Sequence, residues 1–145
     1  MTGMSVIVKR VARLLSAMIF VFGMYIITHG HILPGGGFTG GVLLASSFIV
    51  LVLAQGRNYI QLKQKKEATS LFESLSALMI LLLAFSGMFL ASGVFFSNYF
   101  PKGEPGQLLS AGMIPIYSIL IGIKVAATLF TIFLALTIYK EEVSK

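Results

Sequence analysis

The sequence predicts an all-α membrane protein: a bundle of four transmembrane helices with both termini cytoplasmic. Three observations predict it. Apolar residues come in four long blocks rather than alternating with polar ones. Mean hydropathy is +0.92, and only 11% of the 145 residues are charged, too few to solvate an ordinary globular domain. Nine of the eleven basic residues fall on one side of the layout that these blocks impose.

The blocks define spans at about residues 11–28, 35–55, 71–96 and 114–138 of a single membrane domain, 1–145. All four are apolar around the whole circumference, as helices in lipid or in a bundle are. The first is broken only by Arg13. The preceding Lys9 and Arg10 give it the look of a signal peptide, but Thr28-His29-Gly30-His31 offers no cleavage pattern, so the segment is read as retained. Within the second, the run from Phe38 to Ala54 would rise only about 25 Å, short of a hydrocarbon layer about 30 Å thick. That helix must therefore recruit part of the glycine run before it, placing Pro34 to Gly37 at membrane depth. The third begins after the polar stretch "RNYIQLKQKKEATSLFE", where Thr69 or Ser70 is expected to cap it with Glu73 in the first turn. "NYFPKGEPG" reads as an outer turn before the fourth.

Orientation follows from the bases. Lys9, Arg10 and Arg13, then Arg57, Lys63, Lys65 and Lys66, then Lys140 and Lys145 share one side, which the positive-inside rule makes cytoplasmic. Lys102 lies opposite, and Lys124 lies within a span. The formal net charge of +6 is thus a topology signal, and no nucleic-acid partner is expected. Tyr25, Phe95, Phe96, Tyr99 and Phe100 fall at the outer interface, Tyr59 and Tyr139 at the inner one. With no cysteine there is no thiolate nucleophile, disulfide or cysteine metal site. No room is left for a soluble catalytic domain, so the chain reads as a transporter component rather than an enzyme, with no cofactor and no metal.

"HGHILPGGGFTGG", residues 29–41, joins the first two spans. Gly35-Gly36-Gly37-Phe38-Thr39-Gly40 is a literal G-x-G-x-x-G, but a dinucleotide site needs a preceding strand and an acid about 20 residues on. Here a membrane helix precedes it, and no acid follows until Glu67. Three readings remain. Gly36 with Gly40 and Gly37 with Gly41 form small-x-x-x-small steps that admit another helix at a subunit or bundle interface, with Phe38 as the one bulky contact and Pro34 starting the helix. The run could instead be a plain turn, or a helix N-terminus that contacts an ion. His29 and His31 make a poor metal site without further ligands; hydrogen bonding at the interface, or proton exchange, suits them.

None of the five acids lies deep in an expected span, whereas cation or proton carriers normally embed a carboxylate. A complete, self-contained transporter is therefore not expected. Lys124 sits well inside the fourth span, where a cation costs about 3 kcal/mol on insertion scales. Tyr117, Thr128 and Thr131 share its helical face as a polar stripe that should meet protein or water. Either the lysine snorkels to the outer headgroups, or it pairs with a buried acid supplied by a neighbouring subunit.

"GHILPGGGFTGG" together with "IPIYSILIGIKVAA" resembles the B subunit of Mrp-type cation/proton antiporters, also called MnhB, over essentially the whole chain. The resemblance implies one small subunit of a multi-subunit Na⁺/H⁺ antiporter in a bacterial plasma membrane. That complex would be driven by the proton motive force, with its other subunits and membrane lipid as partners and Na⁺ and H⁺ as its transported ions. As an alternative it admits the related membrane arm of a hydrogenase-type complex. A self-contained four-span exporter and a non-transporting assembly factor are the other classes open.

The absence of cysteine makes the orientation directly testable. Single cysteines at Ser97 and Gly103 are expected to react with an impermeant reagent applied outside, and cysteines at Gln64 and Ser144 are not; the reverse pattern overturns the orientation.

Overall fold

The computed structural model describes residues 4–55, 62–104, 106–107 and 110–143. Its helices are α1 Val6–Thr28, α2 Gly36–Gln55, α3 Leu62–Gly87 and α4 Ile114–Val143. Each carries a stretch long and apolar enough to cross a membrane: Val6–Thr28, Gly36–Gln55, Ala68–Leu90 and Ile114–Thr137. The chain is an all-α, multi-pass membrane protein, with no strand among the described residues. Arg57, Tyr59 and Lys145, which belong to the charge and aromatic pattern, lie outside those residues.

α1 starts at Val6, where the Ser5 hydroxyl accepts from the Val8 N–H at 3.4 Å and caps the first turn. α2 begins within the glycine run, and its 20 residues reach about 30 Å, as the span requires. α3 departs from expectation at both ends. It begins at Leu62, because "LKQKKEATS" consists mostly of good helix formers and contains neither glycine nor proline. Neither Thr69 nor Ser70 caps it, and Glu73 is its twelfth residue, five residues inside the apolar span. At the other end α3 loosens into a π-helical turn, Met88–Ser92, which Gly93 terminates with a left-handed φ of 72°. Phe95 and Phe96 lie outside the helix. The Phe96 N–H instead hooks back to the Ala84 carbonyl at 3.3 Å.

α2 is the axis of the bundle. It packs against α1 on one side and α4 on the other, and α3 joins by packing on α4. Accordingly 44% of the α2 span is buried, against 17–22% of the other three. A small cluster of Val52, Phe130 and Leu134, flanked by Ile49 and Phe133, holds α2 to α4. Between α2 and α3 an apolar cavity of about 500 Å³ opens over α4. Hydroxyls within the spans return their proton to their own helix, as Ser46 does to Val42 (2.8 Å), Ser47 to Leu44 (2.7 Å) and Thr137 to Phe133 (2.8 Å). Hydrocarbon offers no water as an alternative partner.

On the α3–α4 connection, Asn98 ties the loop to the start of α4. Its amide donates to the Ala111 carbonyl at 3.3 Å, and its carbonyl accepts from the N–H of buried Met113 at 3.2 Å. Gly112 has a φ of 65°, and a Cβ there would land on the Asn98 carboxamide. Asn98→Leu should cost about 1–3 kcal/mol, because it strands the Met113 N–H. Asn98→Asp keeps that acceptor and should cost less. Thermal unfolding of the detergent-solubilised protein checks this order; equal midpoints for Asn98→Leu and the unmodified chain refute it.

Candidate functional site

The glycine run is a packed three-helix junction rather than a free turn. Gly37 and Gly41 face α4. A Cβ added at Gly37 would land on the Ser118 carbonyl oxygen, and one at Gly41 would lie 2.6 Å from the Gly122 carbonyl and 2.9 Å from the Val125 Cβ. Gly40 faces α1, where a Cβ would strike the Ile27 side chain and approach the Gly23 carbonyl to 3.0 Å. Gly36 turns to the connecting loop, with the Gly30 carbonyl at 2.9 Å. These contacts leave no space for a side chain. The partners are backbone carbonyls of the same chain, so the junction is internal to the bundle.

Pro34 does not start the helix. Gly35 and Gly36 follow it with φ of 93° and 53°, left-handed conformations that separate the proline from the first turn. The Thr39 N–H closes that turn on the Gly35 carbonyl at 3.3 Å, and the Thr39 hydroxyl donates to Gly36 at 3.2 Å. Phe38 points away from the junction and is 60% exposed, so any bulky contact it makes lies outside this chain.

The two histidines serve different elements. His29 ends α1, its Nδ1–H donating to the Tyr25 carbonyl at 3.0 Å and its ring lying 4.3 Å from that of Tyr25. The His31 Nε2–H donates to the Gln107 carbonyl at 3.0 Å, which ties the α1–α2 loop to the α3–α4 loop. No group of three or more potential metal ligands occurs among the described residues.

Along α4 the expected stripe is present but is not one hydrogen-bonded chain. The Thr128 hydroxyl donates to the Lys124 carbonyl at 2.9 Å. The Thr131 hydroxyl lies 2.8 Å from the Ala127 carbonyl and 2.9 Å from the Thr69 hydroxyl of α3. The Tyr117 ring packs 5.4 Å from that of Phe96, and its buried hydroxyl makes no hydrogen bond with the described residues. Lys124 is partly buried.

A domain related to the MnhB subunit of Na⁺/H⁺ antiporters matches residues 7–131. The chain belongs to the MnhB family. An uncharacterized protein of the archaeon Methanocaldococcus jannaschii is 37% identical over 96% of this chain and 56% of its own length. An antiporter subunit, mnhB2, of Staphylococcus epidermidis is 41% identical over 49 residues, 34% of this chain and 35% of the relative. Among solved structures, a chain of the membrane-bound sulfane sulfur reductase, an archaeal respiratory membrane complex, superposes with a TM-score of 0.76. It is 34% identical, and the match covers 91% of this chain and 57% of that one. The MnhB-family chain thus spans little more than half the length of the two archaeal proteins.

Sequence reasoning finds one side of the glycine junction and misses the other. Ser118 and Gly122 make a small-x-x-x-small step of their own within "SILIG", and Gly23 supplies the α1 surface. The first carries the same signal as the glycine run; Gly23 stands alone in its helix and carries none.

The geometry separates packing inside the chain from contacts beyond it. Gly37→Ala is expected to destabilise the bundle by about 1–3 kcal/mol, because the added methyl meets a carbonyl that cannot move alone. Gly37→Leu should abolish stable protein. Phe38→Ala should leave the isolated chain's thermal stability nearly unchanged and weaken its association with partners. Unfolding curves of the purified chain, beside native gels of the complex, check both; a wild-type curve for Gly37→Leu refutes the close junction.

Proposed function

We propose that this MnhB-family chain is a small membrane subunit of a multi-subunit Na⁺/H⁺ antiporter of the Mrp/Mnh type in a prokaryotic cell membrane. Proton motive force would drive the exchange through the assembled complex. The observation that carries the reading is the MnhB match across residues 7–131, on a bundle whose glycine junction is satisfied internally. Partner-directed features are left at its surface: exposed Phe38, and partly buried Lys124 on the α3–α4 side. The chain stabilises an interface in the complex and contributes the polar stripe of Tyr117, Lys124, Thr128 and Thr131 beside an ion path. His29 and His31 have a simpler role in this reading: His29 closes the end of α1, and His31 fastens the α1–α2 loop to the α3–α4 loop.

A second reading has its own support. The likeness to a chain of an archaeal respiratory complex extends over 91% of this chain, whereas the antiporter-subunit relative matches 34%. Here the chain is a membrane-arm subunit of a redox-driven complex that uses the same module.

Purification through a tag on this chain, from its own host membranes, separates the two. The antiporter reading expects only membrane-transport partners, together with Na⁺-dependent proton movement in vesicles that disappears when the chain is deleted. Co-purification with subunits that carry redox centres supports the second reading. Sodium/proton exchange by the chain reconstituted alone overturns both in favour of a self-contained exporter.

A further inference from the structure

Two charges lie inside the spans of α2, α3 and α4: Glu73 and Lys124. They lie on two helices that pack against each other, α3 and α4. α3 and α4 run antiparallel, with Thr69 and Thr131 at one level, joined hydroxyl to hydroxyl at 2.9 Å. Phe96, bonded back to Ala84, lies against Tyr117 at the other end. From the threonine level toward that end, Glu73 is four residues along α3 and Lys124 seven along α4, or about 6 and 10 Å at the helical rise. Helical periodicity puts Glu73 on the face of Thr69, and Lys124 on the face of Thr131. Both are partly buried. Phe72, the preceding residue, lines the apolar cavity beside α2, which leaves Glu73 on the opposite edge of the seam.

No direct ion pair joins them, and the fold supplies the reason. Side chains on a helix lean toward its N-terminus, so on antiparallel neighbours they lean apart. The axial offset of about 4–5 Å adds to that separation. Ser76 is buried within the same seam, but its hydroxyl is committed to the Phe72 and Glu73 carbonyls. Water can bridge charged groups that do not touch directly.

We propose that Glu73 is the counter-charge of Lys124 within this chain, linked to it through water across the α3–α4 seam, and that the two together form the charged element this subunit gives its complex. The acid that the lysine requires is therefore supplied by α3 rather than by a neighbouring subunit. An unpaired ion of either sign at this depth is costly, and each charge lowers the cost of the other. The pairing holds whichever ion the complex moves.

The test is a double-mutant cycle in the intact complex, using Glu73→Gln, Lys124→Met and the two combined. Assembled complex on native gels, its thermal stability and cation-dependent proton movement in vesicles are all measured. Each single change should lower at least one of these by about tenfold, and the combination should recover to within about threefold of wild type. The charge-exchanged variant, Glu73→Lys with Lys124→Glu, should assemble better than either of its component changes. Losses that multiply in the double variant, or a silent Glu73→Gln, overturn the pairing and return the lysine's partner to another subunit. A wild-type complex that assembles but does not exchange Na⁺ overturns the antiporter reading instead, and the pairing is then decided by assembly and thermal stability.

Discussion

Backbone meeting backbone at the glycine junction is the constraint on which the bundle depends. Lipid tails are as apolar as leucine, so helices in a membrane gain little by burying hydrocarbon against one another. What remains is close packing, where many small dispersion contacts add up, and contact between Cα–H groups and carbonyl oxygens. The junction supplies both. Carbonyls of Gly23, Ser118 and Gly122 meet the bare faces of Gly40, Gly37 and Gly41 at distances that no side chain permits. α2 thereby binds α1 on one side and α4 on the other within two of its turns.

α3 is held differently. It packs on α4, away from the junction, through the Thr69–Thr131 contact near one end and the folded-back Phe96 at the other. Its C-terminal end is a π-helical turn rather than regular helix. The close-packed part of the molecule is therefore α1–α2–α4, and the charged stripe lies at the border between that part and α3. Groups intended to respond to an ion or a partner belong at such a border, where small shifts do not require the glycine junction to open.

Much of this architecture is legible in the sequence, and the failures have physical causes. Four apolar blocks announce four helices, and the deficit in length before Phe38 pulls the glycine run toward the second, which begins at Gly36. The paired glycine steps point to packing because the period of four residues lines up one helical face. Helix ends are less legible. Hydropathy marks where a helix enters lipid, while Leu62–Ser70 continue as helix on propensity alone, beyond the apolar block. That one misplaced boundary puts Glu73 at a helix start and so hides the acid that faces Lys124. Pro34 misleads for a related reason: it suits a first turn, but two left-handed glycines intervene, and only coordinates reveal their φ values.

The same division says which surfaces lipid can cover. The open side of α1 presents Leu14, Met18, Val21 and Phe22, all exposed and all apolar, so acyl chains can meet them without cost. The α3–α4 side carries partly buried Lys124 and Glu73 together with its apolar residues. Hydrocarbon cannot solvate such groups, even where the charges are paired through water, because the remaining donors and acceptors still require partners. A protein surface or a water-filled cleft has to lie there.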